Sequence, residues 1–228
     1  MEQKITRLFR RACADYHLLE DGDRVLVALS GGKDSLELVR LMAKQSKILK
    51  PRIQVAVAHV IMDNIPYETD RSYIEQFCKD LDVELHIIHS SFDESTDHRK
   101  THCFLCSWNR RKALFRFAED NGFNKIALGH HNDDFIVTAL MNITFEGSFT
   151  SMQPLMKMQH YNLSVIRPLC LIHESMIRVV AERNGFHDQK IRCPYEHETK
   201  RTALTGIFQQ LENMNPEARY SIWHALQK

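Results

Sequence analysis

The hexapeptide Ser30–Ser35, with the sequence SGGKDS, has the residue types of a phosphate-binding turn. It follows the apolar run Val25–Leu29 and precedes a helical pattern that begins at Leu36. The sequence therefore predicts a buried strand that turns through two glycines into a helix. Backbone N–H groups and the helix dipole favour an anion at such a turn, and Ser30 and Ser35 add hydroxyl donors. The alternative is a tight glycine turn without a ligand.

Three cysteines form a second group with possible chemistry. Cys103 and Cys106 make a C-x-x-C pair on a loop that leads into a helix, and Cys193 lies in a loop far downstream. Two thiolates at this spacing can bind one metal ion or cluster. The spacing also suits a zinc half-site completed by His102 or His197, a redox dithiol, or cysteines that bind nothing. The other cysteines lie in apolar patterns and are predicted to be inert core thiols: Cys13, Cys78 and Cys170.

The composition limits the classes of protein that the chain can belong to. Its 228 residues suit one domain, and 43% hydrophobic residues suffice for an ordinary core. The net charge of +1 gives no general attraction to nucleic acid or membranes. No apolar stretch is long enough to cross a bilayer, and the N-terminus lacks the apolar region of a signal peptide. We therefore expect a cytoplasmic protein without membrane contact, whose six cysteines are thiols or metal ligands.

Strand and helix patterns alternate along the chain, which predicts an α/β fold with a parallel sheet covered on both faces. Ligands of such sheets bind at the carboxyl ends of the strands, where Ser30–Ser35 lies. The longest polar loop, 90–102, is a candidate active-site segment. We expect a single domain over residues 1–228 with a helical C-terminal part from about residue 170. The predicted strands are 24–29, 53–60, 83–88, 125–129 and 164–167, and the predicted helices are 3–19, 34–46, 68–81, 107–121, 133–145, 173–184 and 199–213.

Several motifs in this order resemble one family. The chain resembles the TtcA-type tRNA 2-thiocytidine synthetases, which belong to the PP-loop N-type ATP pyrophosphatases, and more distantly the TtuA/Ctu-type 2-thiouridine synthetases. The resemblance runs from about residue 5 to the C-terminus. It rests on Ser30–Ser35, the pair Cys103 and Cys106, the segments 129–134 (GHHNDD) and 166–169 (IRPL), and the tail 214–219 (MNPEAR).

This resemblance implies a Rossmann-like PP-loop ATPase fold and a sulfurtransferase activity. Such enzymes adenylate a pyrimidine carbonyl oxygen of tRNA with ATP and Mg²⁺, and then replace the oxygen with sulfur. A [4Fe–4S] cluster on three cysteines leaves one iron open to carry sulfide; the matching positions are Cys103, Cys106 and Cys193. The resemblance also implies a sulfur donor such as a cysteine desulfurase, and a homodimer.

The resemblance further implies roles for single residues. Lys33, Asp63, Cys103 and Cys193 are the expected catalytic residues. ATP and Mg²⁺ are expected to contact Ser30, Gly31, Gly32, Lys33, Asp34, Ser35, His59, Met62, Gly129, His130, Asp133 and Asp134. Phosphates of tRNA are expected to contact Arg99, Lys100, Arg110, Arg111 and Lys112.

Other interpretations of these residues remain open. Asp133 and Asp134 also suit the start of a helix, where they oppose its dipole favourably. Asp63 also suits a turn, and the basic residues also suit a solvated helix face.

Glu196 stands where the family carries the second cysteine of another C-x-x-C pair. The alternative functions are a PP-loop ligase of the lysidine-synthetase kind or with a small-molecule substrate, and a protein that binds ATP without turnover.

Overall fold

The computed structural model describes residues 1–65, 70–93, 102–187 and 200–227. Six strands and eight α-helices lie in these ranges. The strands are β1 (Arg24–Ala28), β2 (Gln54–Met62), β3 (Glu84–Ser90), β4 (Lys125–Ala127), β5 (Leu155–Lys157) and β6 (Ser164–Ile166). The helices are α1 (Glu2–Asp15), α2 (Lys33–Ser46), α3 (Arg71–Asp80), α4 (His102–Asp120), α5 (Asn132–Met141), α6 (Glu174–Arg183), α7 (Lys200–Met214) and α8 (Ala218–Ala225). A π-helical turn, Asn142–Glu146, follows α5.

The strands form one sheet in the order β3-β2-β1-β4-β6-β5. All neighbouring strands are parallel except β5 and β6, which pair antiparallel. Strands β2 and β3 lie on one side of β1, and β4, β6 and β5 lie on the other side, so the strand order reverses between β1 and β4. Crevices at such a reversal are the usual ligand sites of open α/β sheets. The loop Ser30–Ser35 leaves β1 at this point.

Alternate residues of β1 point into two hydrophobic cores, one on each face of the sheet. Val25 and Val27 pack against residues of α1, α2, α3 and α6, whereas Leu26 packs on the other face against residues of α4. This alternation is what a buried parallel strand requires, since successive side chains point to opposite faces. Both cores therefore hold the β1–α2 turn in place.

The predicted α/β fold with helices on both faces is confirmed, and the sequence patterns missed two elements. Strand β5 has only three residues and is stabilised by its pairing with β6. Helix α8 begins within the NPEAR segment, at Ala218. Helix α4 begins at His102, earlier than predicted, so the C-x-x-C pair lies in its first turn and not on a loop. Most of the polar loop 90–102 lies outside the described residues, and the single-domain organisation stays a prediction.

Candidate active site

A cavity of about 410 Å³ opens at the carboxyl ends of β1, β2 and β4. Its wall combines the loop after β1, the end of β2, the turn after β4 and one side of α4. The apolar part of the wall suits a flat ring, and the polar part suits phosphates. The lining residues are Ala28, Leu29, Ser30, Gly32, Asp34, Ser35, Ala58, His59, Val60, Ser107, Arg110, Arg111, Leu114, Leu128, Gly129, His130 and Asp134.

The loop from Ser30 to Ser35 is held in shape by its own side chains. The Ser30 hydroxyl donates to the Ser35 hydroxyl at 3.1 Å, and the Ser35 hydroxyl lies 2.8 Å from the Gly32 carbonyl oxygen. Gly31 has a φ of +93°, a conformation that is costly for a residue with a Cβ. The loop thus reaches the start of α2 with its backbone exposed to the cavity.

Gly129 allows the turn after β4 to approach the first turn of α2. A Cβ at Gly129 would lie 3.3 Å from the Asp34 carbonyl carbon and 3.3 Å from the Ser35 nitrogen. Both neighbours are backbone atoms, which cannot rotate away. The close approach places the β4 turn directly against the phosphate-binding loop.

We expect Gly129→Ala to weaken ATP binding about tenfold, because the loop backbone must shift by a few tenths of an ångström. The measurement is a fluorescence titration with an ATP analogue. Gly206→Ala is the matched control, since a Cβ at Gly206 of α7 meets no atom within 4 Å. Equal ATP affinity of Gly129→Ala and wild type would contradict the prediction.

Lys33 and Asp34 form an ion pair at the start of α2. The Lys33 ammonium lies 3.1 Å from an Asp34 oxygen and 2.9 Å from Glu174 at the start of α6. Burial raises the pKa of Asp34, although Lys33 and His131 oppose that effect. Asp34 Oδ1 is buried without a hydrogen-bond partner. A carboxylate oxygen in this state at the cavity wall suits a cation as an additional partner.

The two neighbouring carboxylates of α5 have different surroundings. Asp134 lines the cavity and accepts a hydrogen bond from the backbone N–H of His131 at 2.9 Å. It also forms an ion pair with Arg201 of α7. Asp133 points away from the cavity and accepts from Arg219 of α8 at 2.8 Å. Burial would raise the pKa of Asp133, but hydrogen bonds from His131 and Arg219 lower it well below its usual range. Asp134 thus lies where it could contact a nucleotide, whereas Asp133 is held by Arg219 at the start of α5, and nucleotide contact by either residue stays a prediction.

Sequence reasoning missed Arg219, although it lies in the quoted tail motif. Its guanidinium is buried and donates to Asn132, Asp133 and Glu212 at 2.8–3.0 Å. Arg219 therefore ties α7 and α8 to the start of α5. A lone arginine in a helical tail gives no signal of this role, because its partners are 86 or 87 residues away in α5 and 7 residues away in α7.

Two histidines at the cavity are held neutral by burial. Burial lowers the pKa of His130 to about 4, so its imidazole is neutral at physiological pH. Burial also lowers the pKa of His59. His59 Nδ1 lies 2.7 Å from the Leu29 carbonyl oxygen, and Nε2 is buried without a hydrogen-bond partner. Because Nδ1 must carry the proton to donate to that carbonyl, Nε2 offers a lone pair at the wall.

The C-x-x-C pair precedes the cavity on the same helix. Cys103 is exposed and Cys106 is half-buried, and three positions separate them, so they share one face of α4. Ser107 follows directly and lines the cavity, as do Arg110 and Arg111. In the described residues, no group of three or more His, Cys, Asp or Glu side chains is arranged to hold a metal ion. The predicted third ligand, Cys193, and the alternative zinc ligand His197 lie outside the described residues.

The remaining cysteines match the prediction of core thiols. Burial raises the pKa of Cys13 to about 12, of Cys78 to about 11 and of Cys170 to about 12. Their thiols stay protonated at physiological pH, and thiolates are the reactive form. These three cysteines are therefore poor metal ligands and nucleophiles.

The structure divides the predicted basic patch. Arg110 and Arg111 turn to the cavity, whereas Lys112 lies in a separate groove with Asn109 and Arg116. Arg99 and Lys100 lie outside the described residues. Of the patch residues that the structure describes, Arg110 and Arg111 are thus brought to the candidate site and Lys112 is not.

Two further predicted residues lie away from the cavity. Asp63 is exposed at the end of β2 and lies 2.7 Å from His89 Nδ1. Met62 is 1% exposed and packs in the core under α4. The end of β2 reaches the cavity wall through Ala58, His59 and Val60.

Comparison with known proteins identifies the family of this chain. The family model of the PP-loop domain matches residues 1–190. The chain belongs to the PP-loop family. A tRNA-cytidine(32) 2-sulfurtransferase of Legionella pneumophila (strain Paris) is 34% identical over 100% of this chain and 81% of its own length. The corresponding protein of Pseudomonas syringae pv. syringae (strain B728a) is 32% identical over 100% of this chain and 84% of its own. This PP-loop protein is thus a member of the tRNA-cytidine 2-sulfurtransferase family, which confirms the TtcA-type resemblance.

Solved structures of PP-loop proteins extend the comparison. The U34-tRNA thiolase NcsA from Methanococcus maripaludis, determined with its [4Fe–4S] cluster, superimposes with a TM-score of 0.79 at 26% identity. The match covers 98% of this chain and 77% of NcsA. The NH3-dependent NAD synthetase of Campylobacter jejuni has a TM-score of 0.52 at 14% identity over 99% of this chain and 93% of its own, and shares the fold. In the described residues, no helix has the length and apolar character needed to span a membrane.

Proposed function

We propose that this PP-loop protein is an ATP-dependent tRNA sulfurtransferase that thiolates a pyrimidine, in the manner named for its 2-thiocytidine relatives. One observation carries the proposal: helix α4 holds the C-x-x-C pair in its first turn and lines the nucleotide cavity with its next turns. A sulfur-carrying group and an adenylated base would therefore meet at one helix. The relatives named tRNA-cytidine(32) 2-sulfurtransferase and the cluster-containing U34-tRNA thiolase support the same chemistry.

In the proposed reaction, a carbonyl oxygen of the tRNA base attacks the α-phosphorus of ATP. The bond between the α and β phosphates breaks, and pyrophosphate leaves. Backbone N–H groups of the loop, the Ser30 and Ser35 hydroxyls and the Lys33 ammonium hold the negative charge of the leaving group. Sulfur at the oxidation level of sulfide then attacks the activated ring carbon, the bond from that carbon to oxygen breaks, and the oxygen departs with AMP.

The cavity residues fit a magnesium ion at the phosphates. Asp34 would hold it, since Asp34 Oδ1 is buried at the wall without a hydrogen-bond partner. Asp134 lies on the same wall and is the second candidate. When bound, the ion would neutralise charge on the phosphates.

The donor set near α4 fits an iron–sulfur cluster. Cys103 and Cys106 share one face of the first helical turn, and thiolates are the ligands that such clusters prefer. The positive end of α4 favours the negative charge of thiolate ligands. Cys193 is the proposed third ligand. When bound, the cluster would supply the sulfur, with a cysteine desulfurase as the proposed source.

Pyrophosphate release tests the nucleotide half of the proposal. We expect release to depend on tRNA in the wild type and to fall at least about 100-fold in Lys33→Met, because the leaving group loses its cation. Lys47→Met is the control, since Lys47 is an exposed lysine near the end of the same helix. The assay is run on protein purified without oxygen, and the tRNA is digested and analysed for 2-thiopyrimidines.

Metal content distinguishes the alternatives. About four irons and four sulfides per chain, with thiolated tRNA, would support the proposal. One zinc without sulfide, together with pyrophosphate release, would indicate a PP-loop ligase instead. ATP binding without pyrophosphate release in the presence of tRNA would indicate a nucleotide-binding protein without turnover.

A further inference from the structure

The buried guanidinium of Arg167 has no counter-ion among the residues that the structure describes. Arg167 follows β6 and is 7% exposed. Its Nη1 donates to the Gln153 carbonyl oxygen at 2.6 Å, and its Nε is buried without a hydrogen-bond partner. No carboxylate of the described residues pairs with it. A buried cation is costly unless an anion compensates it, so this arrangement favours a negatively charged ligand.

Arg111 brings a second positive charge to the adjoining cavity wall, where the backbone N–H of the lining residue Leu128 donates at 2.9 Å to the carbonyl oxygen of Ile166, the residue before Arg167. It is exposed on α4, lines the cavity and has no carboxylate partner in the part of the chain that the structure describes. Burial lowers the pKa of Arg167 to about 10, and the charge of Arg111 adds to that effect. Arg201 differs, because Asp134 neutralises it. In the described residues, neither Arg111 nor Arg167 has a carboxylate partner, and the two arginines lie on adjoining parts of the fold.

The position of these arginines relative to the sheet indicates which anion they bind. The nucleotide cavity spans β2, β1 and β4, and β6 lies beyond β4, on the side away from β2. Charges of Arg167, Arg201 and Arg111 all disfavour protonation of His130, which lines the cavity after β4. If, as the proposed function requires, the apolar wall near β2 holds adenine and the loop after β1 holds the departing pyrophosphate, the side toward β6 remains for the acceptor.

We propose that Arg167 and Arg111 bind a phosphate of the acceptor RNA, next to the nucleotide whose carbonyl is adenylated. This inference rests on the proposed function and adds Arg167 as a binding residue. Proteins read RNA mainly through unstacked nucleotides, and a nucleotide inserted into the cavity carries its backbone phosphate with it. The planar guanidinium matches phosphate oxygens in pairs. Arg111 is accessible from solvent, and Arg167 is fixed deeper by its bond to Gln153.

Salt-dependent RNA binding tests the site without any turnover. The probe is an unmodified tRNA transcript with cytidine at position 32, measured by fluorescence anisotropy over a series of salt concentrations. We expect Arg167→Gln and Arg111→Gln each to weaken binding about tenfold and to reduce the salt slope by about one. In both variants the loss of RNA affinity is expected to exceed any loss of ATP affinity, because the loop that holds the ATP phosphates is untouched. Arg167→Lys should keep the slope and lose part of the affinity.

Arg116→Gln is the matched control, because Arg116 is exposed on α4 but lines a different groove. Arg111→Gln keeps the test informative if the buried Arg167→Gln variant does not fold. An unchanged slope in both Arg167→Gln and Arg111→Gln, an equal loss in Arg116→Gln, or a loss of ATP affinity with normal RNA binding would overturn the inference. RNA binding by wild type without pyrophosphate release would overturn the proposed function alone, and absence of RNA binding by wild type would overturn both.

Discussion

Replacing Cys103 or Cys106 with alanine is expected to abolish tRNA thiolation and to leave tRNA-dependent pyrophosphate release within about threefold of wild type. The cysteines lie in the first turn of α4, and the candidate nucleotide cavity begins at Ser107, so the two proposed half-reactions would use different residues of one helix. Cys193→Ala is expected to behave in the same way, because a cluster held by three cysteines loses stability with any of them. Iron, sulfide and 2-thiopyrimidine content are the measurements.

Cys78→Ala is the control for this prediction. Cys78 is a buried core thiol of α3 whose pKa is raised to about 11, so its loss should leave metal content unchanged. Unaltered cluster content in all three variants would rule out the proposed ligand set. Loss of both thiolation and pyrophosphate release would mean that the cysteines also shape the nucleotide cavity.

Replacing Arg219 with glutamine is expected to lower the free energy of unfolding by about 3 kcal/mol at neutral pH. The change leaves Asp133 and Glu212, which are mostly buried, without their cation, and it breaks the hydrogen bond to Asn132. The measurement is urea denaturation. Arg11→Gln is the control, because its ion pair with Asp15 is exposed and is worth about 0.5 kcal/mol or less.

The effect of Arg219→Gln should depend on pH in a defined direction. The pKa of Asp133 is lowered in the folded protein, in part by Arg219. A lowered pKa contributes stability above the unfolded value of about 3.9, and that stability is lost as the pH falls toward the folded value. The stability difference between wild type and Arg219→Gln should therefore shrink below about pH 4. A difference that is the same at pH 7 and in acid would mean that packing, and not charge, is the role of Arg219.

Local chemistry explains why the position of the candidate site could be predicted from the sequence. Ser30–Ser35 is contiguous, its glycines permit only a few backbone paths, and the apolar run before it forms a buried strand. The alternation of strands and helices gave the α/β fold because each side-chain period can be recognised within one element. Cys103 and Cys106 form a pair in the sequence itself, and their shared helical face follows from their spacing.

Tertiary structure alone decided how residues distant in the sequence meet. Asp133 and Asp134 are adjacent in sequence, yet one pairs with Arg219 and the other lines the cavity with Arg201 beside it, because α7 and α8 pack against α5. The same holds for Arg110 and Lys112, which point to different grooves of α4. Burial of Arg167 and the lone pair of His59 depend on strand order and packing density, and neither is encoded in a local pattern. The sequence by itself therefore determined the strand–turn–helix unit and the cysteine spacing, whereas the charge pairing around them needed the folded chain.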